Sequence, residues 1–130
     1  MAPRNATIEE DGWMLISAEE RHSAHPETFE IPSLAAREAL SPGDGVKLLF
    51  DIETREHSRV VDRGVDRMWL IVKRREGENY VGVLESDPGV AEGLSLRPGT
   101  EVAFRPEHVA AIERPPDGYV LAKYGPDFFE

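Results

Sequence analysis

Two histidines near the start of the chain have a spacing that could bring their side chains together. His22 and His25 are three residues apart in an acidic stretch. If residues 18–25 are helical, both imidazoles lie on one face, as the ligands of a metal ion would. The H-E-x-x-H signature of a zinc enzyme is absent, and Pro26 ends such a helix. We therefore interpret both as solvated histidines and expect no bound metal and no cofactor.

A third histidine, His108, follows Glu107 at the start of an apolar run, which makes it a candidate general base. Adjacent residues of a strand point to opposite faces, so Glu107 could not orient the imidazole in an extended segment. We favour a local hydrogen bond for His108. A small hydrolase or metal-assisted enzyme that uses His22, His25 or His108 is the alternative function.

The segment from Thr54 to Asp66 is long and charged, and we interpret it as a mobile connection. Loops held by a rigid sheet often carry binding residues, and this one is locally basic. We predict that it receives an acidic partner surface or an anionic ligand. In the alternative interpretation, Glu56, Asp62 and Asp66 neutralise these arginines, and the segment is only a solvated linker. The candidate partner-binding residues are Arg55, Arg59, Arg63, Arg67 and Trp69.

The charge balance excludes several classes of partner. Twenty-five acidic residues against fifteen basic ones give a net charge of −10. A field of this sign repels phosphate backbones and anionic lipids, so we expect no nucleic acid and no membrane as partner. The cluster Lys73-Arg74-Arg75 is followed by Glu76 and fits the solvated end of a hairpin. Cysteine is absent, as are phosphate-binding loops and nucleophile elbows.

The chain has the length of one domain, which we place at residues 12–124, between a flexible N-terminus (1–11) and a tail (125–130). The N-terminus lacks the apolar region of a signal peptide. No apolar run approaches the roughly 20 residues that a membrane helix needs. We therefore expect a soluble, cytoplasmic protein.

The pattern of apolar residues predicts strands around a single core. Apolar residues occupy every second position from Val46 to Ile52, as in a strand with one buried face. Residues 67–85 are predicted to form a hairpin that turns at Gly77. Two segments share the form L-x-P-G-x-x-V, which predicts a tight turn before a strand. The residues expected to be buried are Val46, Leu48, Phe50, Met68, Leu70, Val72, Val81, Val83, Val102 and Phe104.

Two short helices are predicted before these strands, each capped by a serine: Ala18–Ala24 after Ser17, and a second from Ser33 to Leu40. Residues 90–96 are predicted to form one helical turn, and residues 108–113 and 119–124 a last hairpin. The resulting fold class is α+β, a strongly bent antiparallel sheet or small SH3-like barrel with two short N-terminal helices.

Several short blocks of the sequence form a recognisable pattern: WMLI at 13–16, PETFEIP at 26–32, PGDGVKLLF at 42–50, RMW at 67–69, YVGVL at 80–84 and LRPGTEVAFRPEHV at 96–109. Through these blocks, over most of residues 13–112, the chain resembles a family of small bacterial proteins of unknown function. The resemblance implies a bacterial, cytoplasmic protein and brings no activity, cofactor or catalytic residue with it. Residues 85–88 depart from the Asp-Asn-x-Pro turn of that family.

Small size, acidity, the lack of a catalytic motif and the expected strand edges favour a binding function. We therefore predict a non-enzymatic protein-binding or regulatory domain, of the inhibitor or immunity type, whose partner is another protein. A structural domain of a larger assembly is a further alternative. The sequence does not indicate the oligomeric state.

Overall fold

A strongly curled antiparallel sheet with a few short helices forms the protein, which confirms the predicted α+β class. The structure is a computed structural model that describes residues 4–88 and 96–129. Its strands are β1 (Trp13–Leu15), β2 (Gly45–Glu56), β3 (Arg59–Glu76), β4 (Asn79–Leu84), β5 (Glu101–Phe104) and β6 (Val109–Glu113). Its helices are α1 (Ile8–Asp11), α2 (Ala18–Ala24), α3 (Leu34–Glu38) and α4 (Tyr119–Tyr124), with 3-10 turns at Pro106–His108 and Pro126–Phe129.

The two longest strands lie in the middle of the sheet. β2 and β3 pair from Gly45 opposite Ile71 to Glu56 opposite Arg59. On its other edge, β2 pairs first with β6 and then with β1. β4 and β5 follow beyond β3. β6 and β1 therefore share one edge of β2, and the sheet curls into a half-barrel around the core.

The face of the sheet that lines the main core is called the inner face here. Alternate residues of β2, among them Leu48 and Phe50, point to it and are fully buried. Successive side chains of a strand point to opposite faces, so the apolar residues at every second position of β2 lie on the same, buried side. All the residues predicted to be buried are buried: Val46, Leu48, Phe50, Met68, Leu70, Val72, Val81, Val83, Val102 and Phe104.

Two Pro-Gly turns of the same construction lead into β2 and β5. Asp44 N–H donates to the Ser41 carbonyl, and Thr100 N–H donates to the Arg97 carbonyl, both at 3.0 Å. The glycines between them have φ angles of +97° and +94°, as the third residue of a type II turn does. Both turns were predicted from the shared form L-x-P-G-x-x-V.

The two predicted N-terminal helices are present, and each begins at its predicted cap. The Ser17 hydroxyl accepts from Glu20 N–H and the Ser33 hydroxyl from Ala36 N–H, both at 3.2 Å. A further short helix, α1, lies in the segment predicted to be flexible. Its Asp11 carboxylate accepts two hydrogen bonds from the Arg4 guanidinium, at 3.0 and 2.8 Å.

The interpretation of residues 54–66 as a connection is wrong. These residues complete β2 and begin β3, and the turn between the strands is His57-Ser58, with φ angles of 50° and 66°. Every residue from Glu56 to Arg67 is exposed. We call residues 54–66 the arm, because they extend the central hairpin away from the core. With both faces exposed, the arm has no buried side to impose an apolar period.

The predicted last hairpin is also wrong in its second half. Residues 119–124 are the helix α4, and β6 pairs with β2 instead. Val120 and Phe128, from this C-terminal segment, pack against Ile71 and Val83 on the face of the sheet opposite the core. The predicted helical turn at residues 90–96 lies outside the described residues except for Leu96, which is fully buried.

Candidate functional site

The side of the sheet opposite the core, called the outer face here, carries most of the residues predicted to bind a partner. Cross-strand pairs share a face. Leu49 of β2 is buried on the outer face with Ala18 and Ala110. Arg67 lies opposite Leu49, and Trp69 lies opposite Lys47. The register therefore places Arg67 and Trp69 together on the outer face.

Two arm arginines lie on the same face but are already ion-paired. Arg63 Nε and Nη2 donate to the two carboxylate oxygens of Asp51 at 3.1 and 3.0 Å. Arg55 Nε donates to the Glu53 carboxylate at 2.7 Å. These two arginines are therefore neutralised by Asp51 and Glu53, and not by Glu56, Asp62 or Asp66, the acidic residues of the predicted connection.

The structure does not bring Arg59 together with the other four. The pairing of β2 with β3 shifts at Thr54-Arg55, after which Arg59 lies opposite Glu56. Since Arg55 and Glu56 are neighbours in a strand, they point to opposite faces, and Arg59 shares the face of Glu56. Arg59 is thus on the inner face near the tip of the arm.

Arg67 contributes to an open pocket of about 230 Å³ on the outer face. Leu49 and Ala110, both buried, form its floor, and Phe29 lies on one side. Lys47 is the second cation at this pocket. The sequence alone does not indicate its role, because only the β2–β3 register places it beside Trp69. We call this the cationic pocket.

Both cations of the cationic pocket lie over aromatic rings. Lys47 Nζ is 5.0 Å from the ring centroid of Trp69, and Arg67 Cζ is 5.7 Å from that of Phe29. Within the described residues, no carboxylate oxygen forms an ion pair with either cation. The acidic residue at this pocket, Glu30, is exposed. The pocket therefore keeps a local positive charge in an acidic protein.

Trp69 also borders a second pocket, of about 330 Å³, between the sheet and α4. One of its polar lining residues is Glu85, whose carboxylate accepts hydrogen bonds from Tyr119 at 2.9 Å, from Tyr124 at 2.5 Å and from Lys123. Burial raises the pKa of Glu85, but these donors outweigh burial and hold its pKa below the usual range. Glu85 therefore fastens α4 to the sheet as a carboxylate.

The three candidate histidines have separate local partners. His22 Nδ1 lies 2.6 Å from the carbonyl oxygen of Phe29, and His25 is the exposed C-cap of α2. His108 is buried, and its Nδ1 accepts from Arg105 N–H at 2.9 Å. This is the local hydrogen bond predicted for His108. The segment is a 3-10 turn and not extended as expected, so Glu107 Oε1 lies 3.8 Å from His108 Nε2. Burial, reinforced by the Arg105 charge, lowers the pKa of His108 to about 4.

The second notable feature of the arm is the edge of β3 that points away from β2, called the outer edge here. β4 pairs with β3 only from Leu70 onward, and no described strand pairs with this edge between Arg59 and Met68. At Trp69 this edge is still occupied: Trp69 N–H donates to the Ser86 hydroxyl at 3.0 Å, and the Trp69 carbonyl accepts from Glu85 N–H at 2.9 Å. The unpaired part of the edge lies before Trp69 in the sequence. The unpaired N–H and C=O groups of such an edge can form hydrogen bonds with a strand of another chain.

Comparison of the chain with models of protein families, with curated proteins and with solved structures found no match. Across residues 4–88 and 96–129, no group of three or more His, Cys, Asp or Glu side chains is placed to hold a metal ion. In the same residues, no helix is long and apolar enough to cross a membrane. The features that bear on function are therefore the cationic pocket and the open edge of β3.

Proposed function

We propose that this chain is a non-enzymatic, protein-binding domain that receives an extended segment of another protein at the edge of β3. The observation that carries the proposal is the open edge between Arg59 and Met68, on an arm exposed from Glu56 onward. A segment that adds to a sheet edge gains main-chain hydrogen bonds, while its alternate side chains provide specificity.

The direction of the backbone groups supports this binding mode. In an antiparallel strand, the N–H and C=O of one residue point to the same edge, and successive residues alternate. Both groups of Trp69 point to the outer edge, where they bond to Ser86 and Glu85. The N–H and C=O groups of Arg67, Val65 and Arg63 therefore point outward as well. Those of the residues between them point to β2.

The side chains along the edge indicate the chemistry of the partner. Val60, Val61 and Val65 are 55%, 52% and 42% exposed. In the described residues, no cation lies within ion-pair distance of Asp62 or Asp66, and the net charge of the chain is −10. The fitting partner is an extended segment rich in β-branched residues that carries lysine or arginine toward these two carboxylates.

Binding of this kind is consistent with an inhibitor or immunity-type regulator. While a segment of the partner is paired with β3, the partner cannot use that segment for its own interactions. The resemblance to small bacterial proteins extends the proposal to a bacterial, cytoplasmic setting. The arm supplies the contact, and the core behind it supplies the rigid support that positions the edge.

In the free protein, amide exchange along the arm is expected to alternate. The amides of Arg63, Val65 and Arg67 point outward and should exchange quickly, whereas those of Gly64 and Asp66 bond to β2 and should exchange slowly. Residue-resolved hydrogen exchange by NMR measures this directly. Strong protection of all five amides in the free protein would mean that the edge is already covered.

Val65→Pro tests whether the edge binds a strand, because it removes one outward N–H without removing a bond to β2. The probe is a synthetic peptide of alternating lysine and valine. Binding to wild type should slow exchange at Arg63 and Arg67, and Val65→Pro should weaken it by about tenfold or more. Val65→Ala is the matched control, which keeps the N–H and should weaken binding less. Equal losses in the two variants would contradict strand addition.

A further inference from the structure

We propose that the cationic pocket binds a small organic carboxylate with a planar apolar body. This site is separate from the edge of β3: it lies over β2 and β6, and it uses side chains where the edge uses backbone groups. The proposal begins from the charges of the pocket. Lys47 and Arg67 are neighbours across the β2–β3 pair, because Lys47 lies opposite Trp69, two residues from Arg67.

The unmatched charge of these two residues contrasts with the ion-paired state of three other cations of the sheet. Arg63 and Arg55 are held by carboxylates of β2, and Lys73 is held by Glu101 at 3.1 Å. Acidic residues outnumber basic ones by twenty-five to fifteen, so carboxylates are abundant. Even so, Lys47 and Arg67 have aromatic rings as neighbours where Arg55, Arg63 and Lys73 have carboxylates. An anion between them would receive charge-assisted hydrogen bonds from both.

The rest of the pocket is suited to an apolar body. Leu49 is fully buried and Ala110 is 8% exposed, so the floor is closed and apolar. The Phe29 ring offers a flat wall on the side where Arg67 lies. The volume of about 230 Å³ exceeds that of a cavity of about 150 Å³ that accepts benzene. A planar ring with one carboxylate fits these dimensions.

This composition favours a carboxylate over phosphate. Phosphate sites are built from several backbone N–H groups or clustered arginines around the anion. Here the strands are paired, with Leu49 opposite Arg67 and Lys47 between Trp69 and Ala111. Two side chains therefore supply the charge, and the floor beneath them is apolar. A ligand that uses both parts of the pocket is an amphiphilic monoanion.

Benzoate is the probe, titrated into the full chain and followed by residue-resolved NMR. We expect a saturable change at the amides of Phe29, Lys47 and Arg67. The indole N–H of Trp69 should also shift, because Lys47 lies over its ring, whereas that of the buried Trp13 should not. Absence of a saturable change at millimolar benzoate would overturn the proposal.

Three variants separate charge recognition from general binding. Lys47→Met and Arg67→Met keep the apolar stems and remove one charge each, and each should weaken benzoate binding by about tenfold. Arg59→Met is the matched control, since it removes the same charge at the inner face of the arm and should leave binding unchanged. If Arg59→Met weakened benzoate binding equally, the loss would be explained by the overall charge of the protein. The proposed site would then be refuted.

Two further ligands test the two parts of the proposed chemistry with the unaltered protein. Benzamide has the ring without the charge and should bind at least about tenfold more weakly than benzoate. Inorganic phosphate has charge without the ring and should not compete at equal concentration. If benzamide matches benzoate, the cations do not recognise the ligand. If phosphate matches it, the apolar floor does not contribute, and either result refutes the assignment.

Discussion

Leu70→Ala is expected to lower the free energy of unfolding by about 2–5 kcal/mol, through lost burial and the cavity that remains. Leu70 is fully buried in the main core. It lies opposite Val46 on β2 and opposite Leu84 on β4, both of them also fully buried. Because its neighbours belong to paired strands on both sides, they can move little toward the space that the leucine leaves.

Chemical denaturation of the wild type and the variant measures this loss. The matched control is Leu121→Ala, which removes the same atoms from a side chain that is 52% exposed. Exposed substitutions usually change stability by no more than about 0.5 kcal/mol. If Leu70→Ala cost as little as Leu121→Ala, Leu70 would not be part of the core described above.

The core strands could be predicted because burial on one face imposes a period of two on the sequence. That period is clear in β2 from Val46 to Ile52, and the structure buries the apolar members of it. The turn at Gly77 and the two Pro-Gly turns were predictable for a related reason. Positive φ angles restrict the residue type, so glycine marks the position of the turn in the sequence.

The sequence did not predict the strands of the arm, because no other part of the described structure packs against them. From Glu56 to Arg67 all residues are exposed, so charged and apolar residues occur on both faces without a period. Its turn gave no glycine signal either, because His57 and Ser58 adopt the positive φ angles. A signal was nonetheless present in the charges. Glu53 lies opposite Arg63, and opposite charges in register are typical of paired strands.

A strand was predicted where the structure has the C-terminal helix α4, because a short apolar run is compatible with either element. Residues 119–124 satisfy either pattern. The structure resolves the ambiguity by tertiary packing: Val120 and Tyr124, one helical turn apart, both contact the cluster that covers Ile71 and Val83. The three hydrogen bonds to Glu85 add to this and depend on residues distant in the sequence.

The candidate site was predictable only in part. Arg67 and Trp69 could be paired from the sequence because they are two residues apart in a strand. Lys47 and Phe29 could not, since they reach the site through the β2–β3 register and the folding of the segment after α2. Lys47 can be placed beside Trp69 only once the register of β2 with β3 is known.

Stability is expected to fall as the pH is lowered from about 6.5 to 4, because of His108. Its pKa in the folded protein is about 4, owing first to burial and then to the Arg105 charge. In the unfolded chain it protonates near pH 6.5. Between these values the unfolded chain binds a proton that the folded protein does not, so the free energy of unfolding decreases with falling pH. The total loss is roughly 3 kcal/mol, at about 1.36 kcal/mol per pH unit.

His108→Asn isolates this contribution, because asparagine does not titrate and its side-chain oxygen can still accept from Arg105 N–H. Urea denaturation at pH 7, 6, 5 and 4.5 should show a smaller dependence on pH in the variant. Carboxylates with lowered pKa values, such as Glu85, lose their stabilising effect mainly below their usual pKa range and act equally in both proteins. The difference between the two slopes therefore reports His108 alone. Parallel slopes would show that the imidazole is protonated in the folded protein as readily as in the unfolded chain.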